Sequence, residues 1–289
     1  MKDDQHSSGN EHSEIVKFYT ESYEESERLG WDVGPLELIR TQEIISRYLP
    51  EPPAVVVDVG GANGVYSCWL RKQGYAVHLV DPVPRHVEQA SEALSKIESD
   101  TDWSAHIGDA RSLPLAYEFA DVVLLMGPLY HLAEKEHRKA ALKEALRVLK
   151  PGGVMCAATI SKFASFIDGL KSGFLKDPAF VEIAQEDLVS GRHKNPTDNP
   201  FYWTNAFFQH PEKTKTEIEE AGFELDGQFA LEGVLWAMRD FESSWKDEEL
   251  RNTLLTMMRT VENEESLMGA SPHIMTVARK TEKNEERDG

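Results

Sequence analysis

Cysteine is nearly missing from this sequence: Cys68 and Cys156 are the two thiols among 289 residues. One falls in an expected helix and one in an expected strand, and neither has a second thiol or clustered histidine at zinc-ligand spacing. That argues against a disulfide framework and a structural zinc site, and each thiol reads as a small apolar core residue. Positive charge is scarce too. Lys and Arg number 31 against 50 Asp and Glu, a formal charge of −19, and no segment gathers the basic residues on one face. A surface this acidic repels phosphate backbones and anionic lipid, so the expectation is no nucleic-acid partner and no membrane partner. No stretch approaches the ~20 apolar residues of a membrane span. The polar start Met1-Lys2-Asp3-Asp4-Gln5-His6 lacks the apolar centre of a signal peptide. These absences together point to a soluble chain in a reducing cytoplasm.

What is present is globular: 40% hydrophobic and 28% charged residues, with six Trp and twelve Phe, in a length that suits one α/β domain with insertions. Residues 1–14 and 280–289 are polar and read as disordered tails. Residues 15–50 carry apolar positions at helical spacing, divided by Gly30 and by Gly34-Pro35 into at least two helices that could act as a lid. From 51 to 160 short β-branched runs alternate with helical patterns. The strands are expected over 54–58, 76–80, 104–107, 120–126 and 154–160, with a long helix over 135–149. Such alternation implies a parallel sheet with helices on both faces. Residues 161–210 break the rhythm and read as an insertion or lid. Residues 211–279 return to the core with a helix from Pro211, strands over 224–231 and 274–278, and a helical insertion over 235–268. The fold class is therefore α/β, doubly wound, with a Rossmann-like sheet of seven strands, the last antiparallel, and helical lid insertions.

In such sheets a ligand sits beyond the carboxyl ends of the strands, where strand order reverses. The unusual polar residues fall there. Asp58 ends the first strand, and the turn Gly60-Gly61-Ala62-Asn63-Gly64 follows it. The dinucleotide fingerprint G-x-G-x-x-G fails at this turn, because Ala62 and Val65 occupy its third and sixth positions. Asp58-x-Gly60-x-x-x-Gly64 is a wider turn that lets backbone approach a ligand without seating a pyrophosphate. Asp81, ending the second strand, suits a ribose whose two hydroxyls donate to one carboxylate. Asp109, after the third strand, can accept from an exocyclic amine. Together they describe an adenosine without a diphosphate.

The series Val57-Asp58-Val59-Gly60-Gly61-Ala62-Asn63-Gly64, Leu79-Val80-Asp81, Gly108-Asp109-Ala110, Met126-Gly127-Pro128-Leu129-Tyr130-His131-Leu132 and Val148-Leu149-Lys150-Pro151-Gly152-Gly153 resembles the class I S-adenosylmethionine-dependent methyltransferases, of the small-molecule group, over about residues 50–160. The resemblance implies S-adenosyl-L-methionine as cofactor and S-adenosyl-L-homocysteine as product. It implies that Gly60, Gly61, Ala62 and Gly64 line the methionine half, that Asp81 and Pro82 meet the ribose, and that Asp109 and Ala110 hold the adenine. Met126 and Gly127 would border the methyl group, with Asp58 organising the turn. Arg40 could pair the cofactor carboxylate, and Tyr19 or Tyr23 could close over it. His131 and Tyr130 are the candidates to meet the acceptor and take its proton. His193, Tyr202, Trp203 and His210 are weaker candidates, and the aromatic and Met-rich stretch from Trp236 to Met258 could wall a pocket.

No carboxylate and amide cluster of the metal-dependent members is evident, so no metal is expected, and the motif Asn-Pro-Pro-Tyr is absent. The resulting expectation is methyl transfer to an O, N or C nucleophile of a small molecule, by a monomer or homodimer. A nicotinamide-dependent oxidoreductase of similar fold and a non-catalytic cofactor-binding protein are the alternatives.

Overall fold

The computed structural model describes residues 33–282. Five parallel strands make the body of the sheet: β1 (Val55–Val59), β2 (Ala76–Asp81), β3 (Trp103–Ile107), β4 (Ala120–Leu125) and β5 (Leu149–Ser161). They lie in the order β3-β2-β1-β4-β5, so strand order reverses between β1 and β4. On the far edge of β5 lies β9 (His273–Lys280), antiparallel, and β8 (Phe223–Ala230) pairs antiparallel with β9. All seven expected strands are present, and the last runs against the others.

The alternation of β1 explains why helices must cover both faces. Val57 and Val59 point into a cluster with Leu142, Ala145 and Val148 of helix α5 (Lys135–Val148) and with Ile218 of α8 (Pro211–Glu220). Val56 points the other way, among Ile44 and Ile45 of α1 (Gly34–Ser46) and Tyr66 and Leu70 of α2 (Val65–Lys72). A strand buried on both faces has no polar side to show, which is why its sequence reads as an unbroken β-branched run. Helix α3 (Pro84–Ser95) packs Val87 and Ala90 on Leu79 of β2. Between β4 and α5 stands the single turn of α4 (Pro128–His131).

Two strands escape the sequence pattern. Within the 161–210 segment, α6 (Ala164–Ser172) and α7 (Pro178–Ser190) are followed by β6 (Arg192–His193) and β7 (Ala206–Gln209), which pair antiparallel. β4 pairs with β5 only as far as Leu125 opposite Ala157, and Phe208 and Gln209 of β7 pair in parallel with Ile160 and Ser161 further along β5. The backbone edge that β4 vacates is thereby filled, leaving fewer unpaired N–H and C=O groups. The helix expected to run to 149 stops at Val148, and β5 starts at Leu149, passing through Pro151-Gly152-Gly153 with a register shift against β4.

Residues 233–268 form a 3-10 turn (Gly233–Ala237) and helices α9 (Phe241–Lys246), α10 (Glu248–Val261) and α11 (Glu265–Met268). Their apolar face packs inward on α1. Phe241 and Leu255 bury against Leu36 of α1, with Leu235, Met238 and Trp245 around them, and the Trp236 indole N–H donates to the Ala270 carbonyl at 2.8 Å.

Candidate cofactor and acceptor site

The three strand ends on one side of the reversal are stitched together through backbone. Gly60 N–H donates to Val80 C=O at 2.7 Å, and Gly108 N–H donates to Asp81 C=O at 3.1 Å. This brings the turn after β1, the acid ending β2 and the Gly108-Asp109-Ala110 segment into one rim. Gly60 has φ +70°, and a Cβ there would stand 2.8 Å from Pro128 Cδ, so a side chain would collide with the start of α4. Gly61 closes onto Asp58: a Cβ at Gly61 would lie 2.7 Å from the Asp58 carboxylate.

Asp58 itself is fully buried beneath the turn. It accepts from Ser67 Oγ at 2.6 Å. Burial pushes its carboxyl up to about 6, with the Asp81 charge adding to that and the Ser67 hydrogen bonds opposing it. It braces the turn from below and presents no surface to a ligand.

Asp81 is buried at the end of β2. One oxygen accepts from Ala62 N–H at 3.0 Å, and the other accepts from Val83 N–H at 2.9 Å and meets His86 Nδ1 at 3.1 Å. The carboxylate thus fixes the turn to α3, and Ala62 is held at φ 47°, uncommon for a residue with a side chain. Pro82 is half-buried beside it. Asp109 is half-buried, and its carboxylate is gripped by Arg111 through Nε at 2.9 and 3.1 Å and Nη2 at 2.5 Å. Arg111 was not anticipated; its position two residues on was the available signal.

Across the reversal stand Met126 and Gly127, both half-buried. Gly127 faces the Gly60 turn across the crevice: among the described residues a Cβ built there would meet the Gly60 carbonyl and Tyr130 Oη, each at 3.7 Å, in ordinary van der Waals contact. The Tyr130 hydroxyl donates to the Met126 carbonyl at 2.8 Å, so its proton serves the backbone of the crevice. The Tyr130 and His131 rings meet edge to face with centroids 4.7 Å apart.

Arg40 and His193 are engaged away from this crevice. Arg40 is fully buried but turned to Glu262 and to Glu43, so its guanidinium is committed to an internal ion cluster and not to a ligand carboxylate. His193 is held on both ring nitrogens, by Asp187 at 2.8 Å and by the Tyr202 carbonyl at 2.8 Å, and the Tyr202 hydroxyl donates to Asp177. Those residues are framework of the 161–210 segment. Tyr19 and Tyr23 lie outside the described residues.

A further group was invisible to spacing because its members are far apart in the chain. Glu37 of α1, Glu232 after β8 and His273 at the start of β9 bring two carboxylates and an imidazole within 4.8 Å of one another. Since β9 is antiparallel, its amino end lies at the same sheet end as the crevice. The His273 and Tyr130 ring centroids are 6.5 Å apart.

A strand reversal flanked by a wide glycine turn and an acid ending β2 marks the crevice at the carboxyl end of this Rossmann-like sheet. Residues 56–153 match the family described as the methyltransferase domain. The fold is similar to that of a SAM-dependent methyltransferase from Methanosarcina mazei, with TM-score 0.57 at 17% identity, covering 83% of this chain and 98% of that one.

The chain is 30% identical over 176 residues to a tRNA (carboxymethyluridine(34)-5-O)-methyltransferase of Arabidopsis thaliana, a match covering 60% of this chain and 40% of that protein. It is 27% identical over 138 residues to a ubiquinone/menaquinone biosynthesis C-methyltransferase of Caulobacter sp., covering 45% of this chain and 53% of the relative. The chain thus spans about half the length, or less, of these relatives. Among solved structures, a complex between the Haloferax volcanii Trm112 methyltransferase activator and a methyltransferase matches with TM-score 0.57 at 18% identity, covering 93% of this chain and 98% of that one.

These relatives overturn the expected partners, a small-molecule acceptor with nucleic acid excluded, because tRNA methyltransferases stand among them and one fold neighbour is solved with a protein activator. The physical error lies in reading a net charge as a surface. A total of −19 fixes the average field and not the potential of any one face.

Proposed function

We propose that this chain uses S-adenosylmethionine to methylate an O, N or C nucleophile, with the cofactor in the crevice between the β1 and β4 turns. The observation that carries the proposal is the approach of Gly127 to the Gly60 carbonyl, 3.7 Å from a Cβ built at Gly127, where strand order reverses between β1 and β4. It is joined there by a buried Asp81 one strand away. When bound, the cofactor supplies a sulfonium-activated methyl group. The chain's own contribution is to orient and to exclude water. Gly60, Gly61, Ala62 and Gly64 present backbone to the methionine half, Asp81 accepts from the ribose hydroxyls, and Asp109 with Ala110 borders the adenine. Met126, Gly127 and the Tyr130-His131 pair form the side from which an acceptor approaches. Asp81 Oδ2 accepts from Ala62 N–H and keeps a second lone pair that a ribose hydroxyl can use.

The acceptors named for the relatives include a tRNA uridine and a ubiquinone or menaquinone precursor, and acceptor trials need to span both. The cofactor reading is tested by calorimetric titration of S-adenosylhomocysteine into wild type and Asp81→Ala. The expected result is a loss of about tenfold or more in affinity; equal affinities would sink the assignment. A chain that binds the nucleoside but labels no protein-free RNA or quinone fraction would favour the non-catalytic alternative.

A further inference from the structure

We propose that His273, oriented by Glu232, takes the proton from the methyl acceptor, and that the acceptor atom is the oxygen of a hydroxyl that keeps its proton at neutral pH. This rests on the methyl-transfer function proposed above. His273 Nδ1 lies 2.6 Å from Glu232 Oε1. Glu232 is fully buried, and its other oxygen accepts from Ser271 Oγ and from the His273 backbone N–H, each at 3.2 Å. The carboxylate is therefore pinned from three directions and holds the imidazole by its Nδ1–H, which makes Nε2 the basic nitrogen. The ring is partly open, its side chain 21% exposed. It stands at the sheet end that carries Gly127 and Tyr130, its centroid 6.5 Å from that of Tyr130.

Among the described residues, Glu232, Tyr130 and Glu37 face it, the last with Oε2 3.7 Å from Nδ1. A second carboxylate at that distance favours the imidazolium formed when the proton arrives. The same three residues could be taken for metal ligands. The Nδ1 to Oε1 distance of 2.6 Å is that of a shared proton, because two ligands on one zinc at ~2.0–2.1 Å stand roughly 3 Å or more apart.

The step is a single proton transfer. The acceptor O–H bond breaks, the proton goes to Nε2, and the electron pair stays on the acceptor oxygen as its nucleophilic pair; the imidazolium later returns the proton to water. A carboxylate acceptor, already ionised, would have no use for the dyad.

The test uses the full chain, wild type, His273→Gln and Glu232→Gln, with methyl-labelled S-adenosylmethionine. Two hydroxyl probes, catechol and 5-hydroxyuridine, are set against two carboxylate probes, benzoate and 5-carboxymethyluridine; which hydroxyl probe is used separates a free aromatic from a nucleoside. The expected result is methylation of a hydroxyl probe over its carboxylate counterpart. His273→Gln should lower kcat about 10²- to 10⁴-fold, with KM and S-adenosylhomocysteine affinity changed by no more than about twofold. Glu232→Gln should lower kcat less and move the low-field Nδ1–H proton resonance of His273, which a packing role alone would not. Four outcomes overturn the proposal: carboxylate preference, no methylation of either hydroxyl probe, an unchanged kcat in His273→Gln, or stoichiometric Zn²⁺ binding that His273→Gln abolishes. Failure of the wild type to bind S-adenosylhomocysteine would instead remove the underlying function.

Discussion

Ser67 Oγ donates to the Asp58 carboxylate at 2.6 Å, inside a site from which water is excluded. One hydrogen bond does not offset the burial of a charge, so the carboxyl is pushed up to about 6 from an ordinary 3.8. An acid whose folded value is raised stabilises the fold while protonated. That contribution is complete below the unfolded value and is lost as pH rises through about 6. The loss is on the order of 3 kcal/mol at neutral pH. Asp58→Asn has no charge to bury. Its melting temperature relative to wild type, measured without ligand, should rise from pH 4 to a little above pH 6 and then level off; a pH-independent difference would contradict the reading.

Gly127 has a negative φ, −141°, outside the left-handed region that favours glycine. Gly127→Ala should therefore fold with a melting temperature close to wild type. Its methyl, 3.7 Å from the Gly60 carbonyl and from Tyr130 Oη, would stand in the crevice, so S-adenosylhomocysteine affinity should fall at least about tenfold. Full affinity in a folded Gly127→Ala would move the cofactor elsewhere.

Arg138 and Glu217 tie α5 to α8 under one face of the sheet. The guanidinium donates through Nε at 2.8 Å and Nη2 at 2.9 Å to the two carboxylate oxygens, and its carbon lies 3.9 Å from the Phe207 ring centroid. Burial pushes the Glu217 carboxyl up, but Arg138 and Gln209 overcome this and hold it below its ordinary value. Stability from this group is thus present at neutral pH and lost as acid titrates it. Glu217→Ala leaves a buried, unpaired guanidinium and should cost about 3–5 kcal/mol in urea denaturation. The double change Arg138→Met with Glu217→Leu should recover much of that.

Glu262 holds two arginines, Arg40 and Arg47, and so clamps α10 to α1. Glu262→Ala should destabilise by a similar ~3–5 kcal/mol, since Arg40 is fully buried. At temperatures where the variant stays folded, S-adenosylhomocysteine affinity should be unchanged. A large loss of affinity there would restore Arg40 to the ligand.

Legibility in the sequence followed the range of the interactions. β1, β2 and β4 are buried on both faces, and their Val-rich runs announced them. Gly60, Gly64 and Asp81 sit within a few residues of strand ends, so local pattern reached them. β7 has four residues and owes its existence to an edge of β5 that β4 leaves open; nothing in Ala206-Phe207-Phe208-Gln209 alone encodes that. Arg40 looked available from its position on α1, because its partner Glu262 is 222 residues away. The same distance problem hid His273, whose orienting acid Glu232 lies 41 residues upstream, across a hairpin that only the sheet brings together. A phenol at Tyr130 read as a proton carrier until the Met126 carbonyl appeared beside it.

The pairing of Phe208 and Gln209 with the tip of β5 sets which parts of this fold tolerate change. A strand ladder recognises backbone and is indifferent to side-chain identity. The 161–210 segment is moored to the sheet by bonds that no substitution on its outer surface can reach. Its outward residues can change while its backbone pairing with β5 stays the same.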